Sequence, residues 1–341
     1  MPSMADWQAA LAVCAAIIGA GFASGREIVS FFSCFGSASW LGIAAASAGM
    51  GGLIYVIMRL TQRTGAGTFP GLYGALMGQS CEDALHMLHG LLCLLTASAM
   101  LAAGGELGAL SFPVRHSRAL GFLLTLLAAL ASTASGFRML PAMGALLAPL
   151  SAVYFIAMAS GAPYSPPLSA QNLPAALPMG LLYAAFNSAL AGGTICMAGR
   201  HEASPARTAV LTGGILFLLL SSANLAMLKA GAAILSMELP SVALAAHWGV
   251  CGFYSSILIL WLAVLTTLCA MLHSLGAQLS LTRLPPSASL LTAGAASCIP
   301  AVFGFRALVE AVYPLLGWIC GFALAALLLY LPEAEASSHD H

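Results

Sequence analysis

The sequence predicts an all-α integral membrane protein of about ten transmembrane helices, with the first and sixth interrupted near mid-membrane. Three observations lead there. Hydrophobic residues make up 60% of the chain and charged residues only 6%, against roughly 25% charged in soluble domains. Polar and Pro/Gly punctuation cuts the chain into ten apolar segments, most near the ~20 residues that a bilayer-crossing helix needs. Two of those segments carry glycines and polar residues at their centres, where hydrocarbon tolerates an unpaired backbone least.

The expected spans fall at about 7–35, 38–60, 85–110, 118–135, 140–160, 174–198, 207–228, 252–280, 287–305 and 307–331. The ninth, rich in Ala, Gly and Ser, has the weakest signal. Between spans two and three, the stretch Thr68 to Met77 reads as a short interfacial helix, and between spans seven and eight Glu238-Leu239-Pro240 opens another. The segment 1–332 forms one transmembrane domain, and 333–341 is a polar tail that reads as disordered. The first residues lack the basic region of a secretory signal, so the first span is expected to remain in the mature protein.

Composition excludes several function classes. Eleven basic and eleven acidic residues balance, with no basic cluster, so a nucleic-acid surface is not expected. The nine cysteines stand singly, mostly inside apolar spans, and no Cys/His spacing suits a metal; no cofactor is expected. No clustered set of acid, base or metal groups supports an enzyme. If the N-terminus is cytoplasmic, Arg59, Arg63, Arg138, Arg200, Arg207 and Arg283 lie inside, while Arg115, Arg118, Lys229 and Arg306 lie outside. That bias favours cytoplasmic termini.

The first interruption is Gly19-Ala20-Gly21-Phe22-Ala23-Ser24-Gly25-Arg26-Glu27. Glycine holds helical dihedrals poorly, and a broken helix frees amides and carbonyls that in hydrocarbon must face protein, water or a solute. The alternative is a small-residue packing face, Ala16-Ala20-Ser24. Ten spans split into two sets of five, about 7–160 and 174–331. An odd-numbered repeat must insert with opposite topology in its two copies, so the sixth span should be interrupted like the first. It carries Tyr183, Phe186, Asn187 and Ser188 followed by Gly192-Gly193. Asn187 could equally serve as a hydrogen-bonding residue between helices.

The run Gly19 to Ile28 followed by Phe31-Phe32 resembles the signature of the YkvI-type amino-acid permeases, a bacterial family within the amino acid–polyamine–organocation superfamily. The resemblance extends to Tyr183–Asn187 and to Leu265-Thr266-Thr267, and departs at Arg26, where the family commonly carries Gln. It implies the five-plus-five inverted repeat of the LeuT type, alternating access, and a small substrate such as an amino acid or related amine. It also implies the bacterial cytoplasmic membrane. A coupling Na⁺ would sit between carbonyls in Ala16 to Gly21 and the hydroxyls of Thr266 and Thr267. The expected substrate site is the break from Gly19 to Gly25 with Tyr183, Phe186, Asn187 and Ser188. Phe22 and Tyr183 could close over the solute from the two broken helices, or could equally be core. Arg26, Glu27, Arg306 and Glu310 are the expected gate or coupling residues, with Glu27 the alternative, protonatable coupling group. The chain is expected to be a monomer or homodimer. The rival reading is a channel or a non-transporting solute sensor.

Overall fold

The structure, a computed structural model, describes residues 2–135, 149–151, 153–158, 173–280 and 284–331. Much of the expected fifth span, and the tail from 333, lie outside the described residues. Among the described residues, seven helices are long and apolar enough to cross a bilayer. The remaining expected spans have plain reasons for missing that length. The first is divided into helices Met4–Ile17, Ala20–Ala23 and Arg26–Phe31. The ninth is the 16-residue helix Pro286–Ala301, and the fifth is only partly described.

The other spans follow the apolar segments closely. They are Ser39–Thr64, Gln79–Ser111, Ser117–Ala134, Leu173–Leu190 continued by Gly192–Gly199, Pro205–Ala230, Gly249–Ser280 and Phe305–Leu328. Both short helices expected between spans are present. Thr68 caps Phe69–Met77 by accepting from the Gly71 amide at 3.1 Å, with Pro70 in the first turn where its missing N–H costs nothing. Pro240 likewise opens Pro240–Ala245.

Asp6 meets Ser204 at the starts of spans one and seven, and Arg26 meets the Leu235 and Met237 carbonyls beyond the end of span seven, so these two spans run the same way; Pro2 and Leu331 lie on one face, here the terminal face, and the links 32–38, 112–116, 231–248 and 302–304 lie on the distal face. Packing repeats under exchange of each span with the one five later. Span two packs on six and seven on one; three packs on eight; four packs on eight as nine does on three. Because span one leaves the terminal face and span six returns to it, the two halves are inverted, as an odd-numbered repeat requires.

Small residues allow these helices to touch. A Cβ on Gly180 of span six would lie 2.1 Å from the Gly42 carbonyl of span two. In a bilayer, where helices gain little from apolar burial alone, such close backbone approach supplies the dispersion contact that holds them together.

Candidate functional site

The first span breaks twice. Ile18 (φ −81°, ψ 87°) and Gly19 (φ −101°, ψ −167°) leave the helical region, one turn re-forms at Ala20–Ala23, and Gly25 at φ 77° turns the chain again before Arg26–Phe31. Ser24 braces the second turn. Its hydroxyl donates to the Gly21 carbonyl at 2.7 Å and accepts from the Arg26 amide at 3.1 Å. At the first turn the Ala20 amide, which in an unbroken helix would donate to Ala16, instead makes a long 3.4 Å contact to the Thr267 hydroxyl of span eight. The Ala16 carbonyl thereby loses its helical donor.

The sixth span is interrupted less. Leu173–Leu190 runs as helix through Tyr183, Phe186, Asn187 and Ser188, and only Ala191 (φ −81°, ψ 0°) separates it from Gly192–Gly199. Even there Ala191 donates to Asn187 and Ile195 donates to Ala191, so few backbone groups are released. The expected interruption of the sixth span is therefore present at Ala191, though it releases fewer backbone groups than the first. Asn187 spends its amide on the Tyr183 carbonyl one turn back at 3.0 Å, and Gly192-Gly193 lie within helix.

A cavity of about 810 Å³ opens beside the first break. Of the residues expected from sequence, it is lined by Ala16, Gly19, Ala20, Gly21, Glu27, Phe186, Asn187, Thr266 and Thr267. Phe22, Ala23, Ser24, Gly25, Tyr183 and Ser188 are buried around the break and do not line it. Phe22 packs edge-on against Phe155, centroids 5.3 Å apart, and Tyr183 sits edge-on to both Phe31 and Phe32 at 5.1 Å. The aromatic wall of the cavity is Phe186 with Tyr313 of span ten, rings 4.5 Å apart and tilted by 31°.

Glu27 is the lining residue that most constrains its neighbours. It is 7% exposed, and its carboxylate accepts from the Tyr183 hydroxyl at 3.4 Å. A Cβ placed on Gly21 would fall 1.7 Å from its Oε1, so the carboxylate rests directly on the Gly21 backbone. Only glycine leaves that space. Thr266 donates to the Ala263 carbonyl at 3.0 Å, ordinary back-bonding on a helix that leaves its lone pairs available.

Three contributors gave little sign in the sequence. Thr96 of span three and Tyr313 line the cavity with buried hydroxyls that meet no hydrogen-bond partner among the described residues, and Thr194 lines it from the second half of span six. A buried hydroxyl without a partner costs on the order of 1–3 kcal/mol and marks where a ligand atom would be favoured.

The two ends of the cavity differ. Toward the terminal face its lining reaches Ala12, Ala16, Ala270 and His273, all exposed. Toward the distal face it is shut. Arg26, 2% exposed, gives one guanidinium nitrogen to the Leu235 and Met237 carbonyls at 2.7 and 2.9 Å and the other to Glu310. Arg306 pairs with the same carboxylate at 2.9 Å, its amide donates to Glu238 at 2.9 Å, and a guanidinium nitrogen donates to the Ser236 carbonyl at 2.9 Å. The Ser241 amide donates to the Ser24 carbonyl at 2.9 Å, so the link between spans seven and eight is tied to the break itself. The structure brings Arg26, Arg306 and Glu310 into one cluster; Glu27 stands apart, facing the cavity.

On the terminal face a separate anchor holds the first helix. Asp6, 1% exposed, accepts from the Ser3 amide at 2.7 Å and from the Ser204 amide at 2.7 Å, with Arg207 3.6 Å away. A second hollow of about 590 Å³ lies between spans two and seven; the described residues lining it are small and apolar with no charged group, so it lacks the convergent polarity of the break. Among the described residues no cluster of His, Cys, Asp and Glu suits a metal ion.

No protein-family model matches the chain, and no curated protein matches it. Solved structures do. MhsT in complex with L-phenylalanine aligns with a TM-score of 0.66 at 16% identity over 95% of this chain and 88% of that one. Mhp1, a nucleobase-cation-symport-1 family transporter in a closed conformation with bromovinylhydantoin bound, gives 0.56 at 16% identity over 92% of this chain and 75% of that one. An inward-facing conformation of Mhp1 gives 0.60 at 14% identity over 94% and 74%. The chain has the LeuT-type transporter fold. At these identities the likeness speaks for the fold alone.

Proposed function

We propose that this protein is a secondary active transporter of a small solute, an amino acid or related amine, working by alternating access at the first-span break. One observation carries the reading. The cavity at the break is sealed toward the distal face by Arg26, Glu310 and Arg306 and lined by exposed residues toward the terminal face. A channel would present a continuous polar path, and here the Arg26–Glu310 ion pair and the Phe22–Phe155 contact interrupt it. With the terminal face cytoplasmic, as the Lys and Arg distribution favours, this is an inward-facing arrangement in a bacterial inner membrane. The resemblance of Gly19 to Ile28 to the YkvI-type permeases supports the same reading.

The coupling ion in this reading is Na⁺ or H⁺. For Na⁺ the donor set fits a hard cation: the hydroxyls of Thr266 and Thr267 line the cavity beside Ala16 and Gly19, and the Ala16 carbonyl has lost its helical donor. For H⁺ the group would be Glu27, a carboxylate at membrane depth. The solute would lie against Gly19–Gly21, Phe186 and Asn187.

Thermal stabilisation of the purified protein, measured across a panel of amino acids and amines with either Na⁺ or choline, tests the reading. A solute that raises Tm only with Na⁺, with the effect lost in Thr266→Ala, supports Na⁺-coupled transport. Stabilisation independent of Na⁺ but dependent on pH moves the coupling to Glu27. No stabilisation by any compound counts against an amino-acid or amine substrate.

A further inference from the structure

We infer that the cavity recognises an organic cation lacking a carboxylate of its own, an amine or alkylammonium compound held by Glu27 beside the rings of Phe186 and Tyr313. The inference rests on the transporter reading and narrows its substrate class.

The first support is a charge census. Among the described residues lining the cavity, Glu27 is the only Asp, Glu, Lys or Arg. Its neighbour Arg26 gives it no counter-charge, because that guanidinium is turned to the distal face and engaged by Glu310 and by the Leu235 and Met237 carbonyls. Among the described residues the hydrogen bond that Glu27 receives comes from the neutral Tyr183 hydroxyl. A carboxylate removed from water without a cation is costly, and a cation brought by the solute relieves that cost in the place of a proton.

The second support is position. The Glu27 carboxylate lies against the Gly21 backbone, at the break where a zwitterion's carboxylate would have to approach the released backbone. Two carboxylates at that spot repel one another. The protein has in effect supplied the acidic group itself, so the solute needs only its ammonium end. The third support is the aromatic pair. Phe186 and Tyr313 line the same cavity, and ring quadrupoles attract ammonium groups. The unpartnered hydroxyls of Thr96 and Tyr313 leave room for one polar substituent on the solute.

The test compares matched compounds on the full-length purified protein: phenylalanine with phenethylamine and 2-phenylethanol, and leucine with 3-methylbutylamine, read by thermal shift and calorimetry. The inference expects each amine to bind tighter than its amino acid by about tenfold or more, and expects Glu27→Gln to lose at least about tenfold for the amines with little change for 2-phenylethanol. Glu27→Asp should retain part of the preference; the selectivity of the unaltered protein remains decisive if Glu27→Gln fails to fold. Amino acids binding as well as or better than their amines, with Glu27→Gln indifferent, would overturn the inference and leave the transporter reading standing. Equal binding of both series, with Glu27→Gln removing only a pH dependence, would also overturn it and make Glu27 a proton carrier. Binding of no compound overturns it too, and accessibility of the cavity from the two faces, which needs no ligand, then judges the transporter reading separately.

Discussion

The first and sixth spans occupy equivalent places in the inverted repeat, yet they are built differently at the site. The first gives up its helix over Ile18–Gly19 and again at Gly25, and presents backbone, a carboxylate and a bracing serine. The sixth keeps its helix to Leu190 and contributes the side chains of Phe186 and Asn187. The difference teaches a division of labour. A helix that satisfies its own backbone can offer only side chains, so it forms a wall, whereas a helix that breaks can reorganise around a solute and its ion. The mobile partner in transport should then be the first span, held at the distal face by Arg26 and at the terminal face by Asp6.

Substitutions in the two spans should therefore differ in kind. The largest contrast is between glycines. Gly21→Val places atoms where the Glu27 carboxylate sits and should lower solute binding by about a hundredfold, the ~3 kcal/mol scale of forced overpacking, whereas Gly193→Ala, whose Cβ meets nothing within 4 Å, should leave binding unchanged. Calorimetry on both variants checks the pair, and equal losses would erase the distinction between the spans.

Next comes the distal seal. Arg26→Gln removes a buried guanidinium that holds the Leu235 and Met237 carbonyls and Glu310, which keeps Arg306, and should destabilise the arrangement sealed at that face by about 2 kcal/mol. The measurable sign is a lower Tm together with greater labelling of residues on the distal side of the break. Unchanged labelling would show that Arg26 merely fills space.

A smaller effect separates the support of the break from the wall. Thr267→Val removes the hydroxyl facing the Ala20 amide and should cost about 1–2 kcal/mol in stability by thermal or chemical unfolding. In the sixth span Asn187→Ala loses an intrahelical bond to Tyr183 and should cost about 1 kcal/mol or less. An Asn187 effect larger than that of Thr267 would mean the sixth span carries more of the site than its continuous helix suggests.

Much of this was legible in the chain. The spans follow from apolar length, and the first break from glycines and charges in a place where neither serves a membrane helix. The meeting of Arg26 with Arg306 and Glu310 follows from opposite charges in outer-half positions of spans one and ten, although Glu27, expected with them, faces the cavity instead. The extent of the second break was not legible. Asn187 and the glycines signal polarity and small size, and the helix absorbs both by bonding Asn187 to its own backbone. Phe22 and Tyr183 suggested a lid through their aromatic bulk, but the close packing of Phe155, Phe31 and Phe32 takes them out of the lining. Thr96 and Tyr313 were invisible because single hydroxyls in long apolar helices look alike wherever they point. Only the packing of spans three and ten against six turns these two toward the cavity.

The central claim is that the break is reached from one face at a time. Its most direct test is thiol labelling of single cysteines in a background lacking the nine native ones, with Ala270→Cys reporting the terminal-face mouth and Val29→Cys the buried distal side. The account predicts that Ala270→Cys labels and Val29→Cys does not, and that adding Arg26→Gln reverses the order. Simultaneous labelling of both positions, or protection of Val29→Cys under every condition, would contradict it.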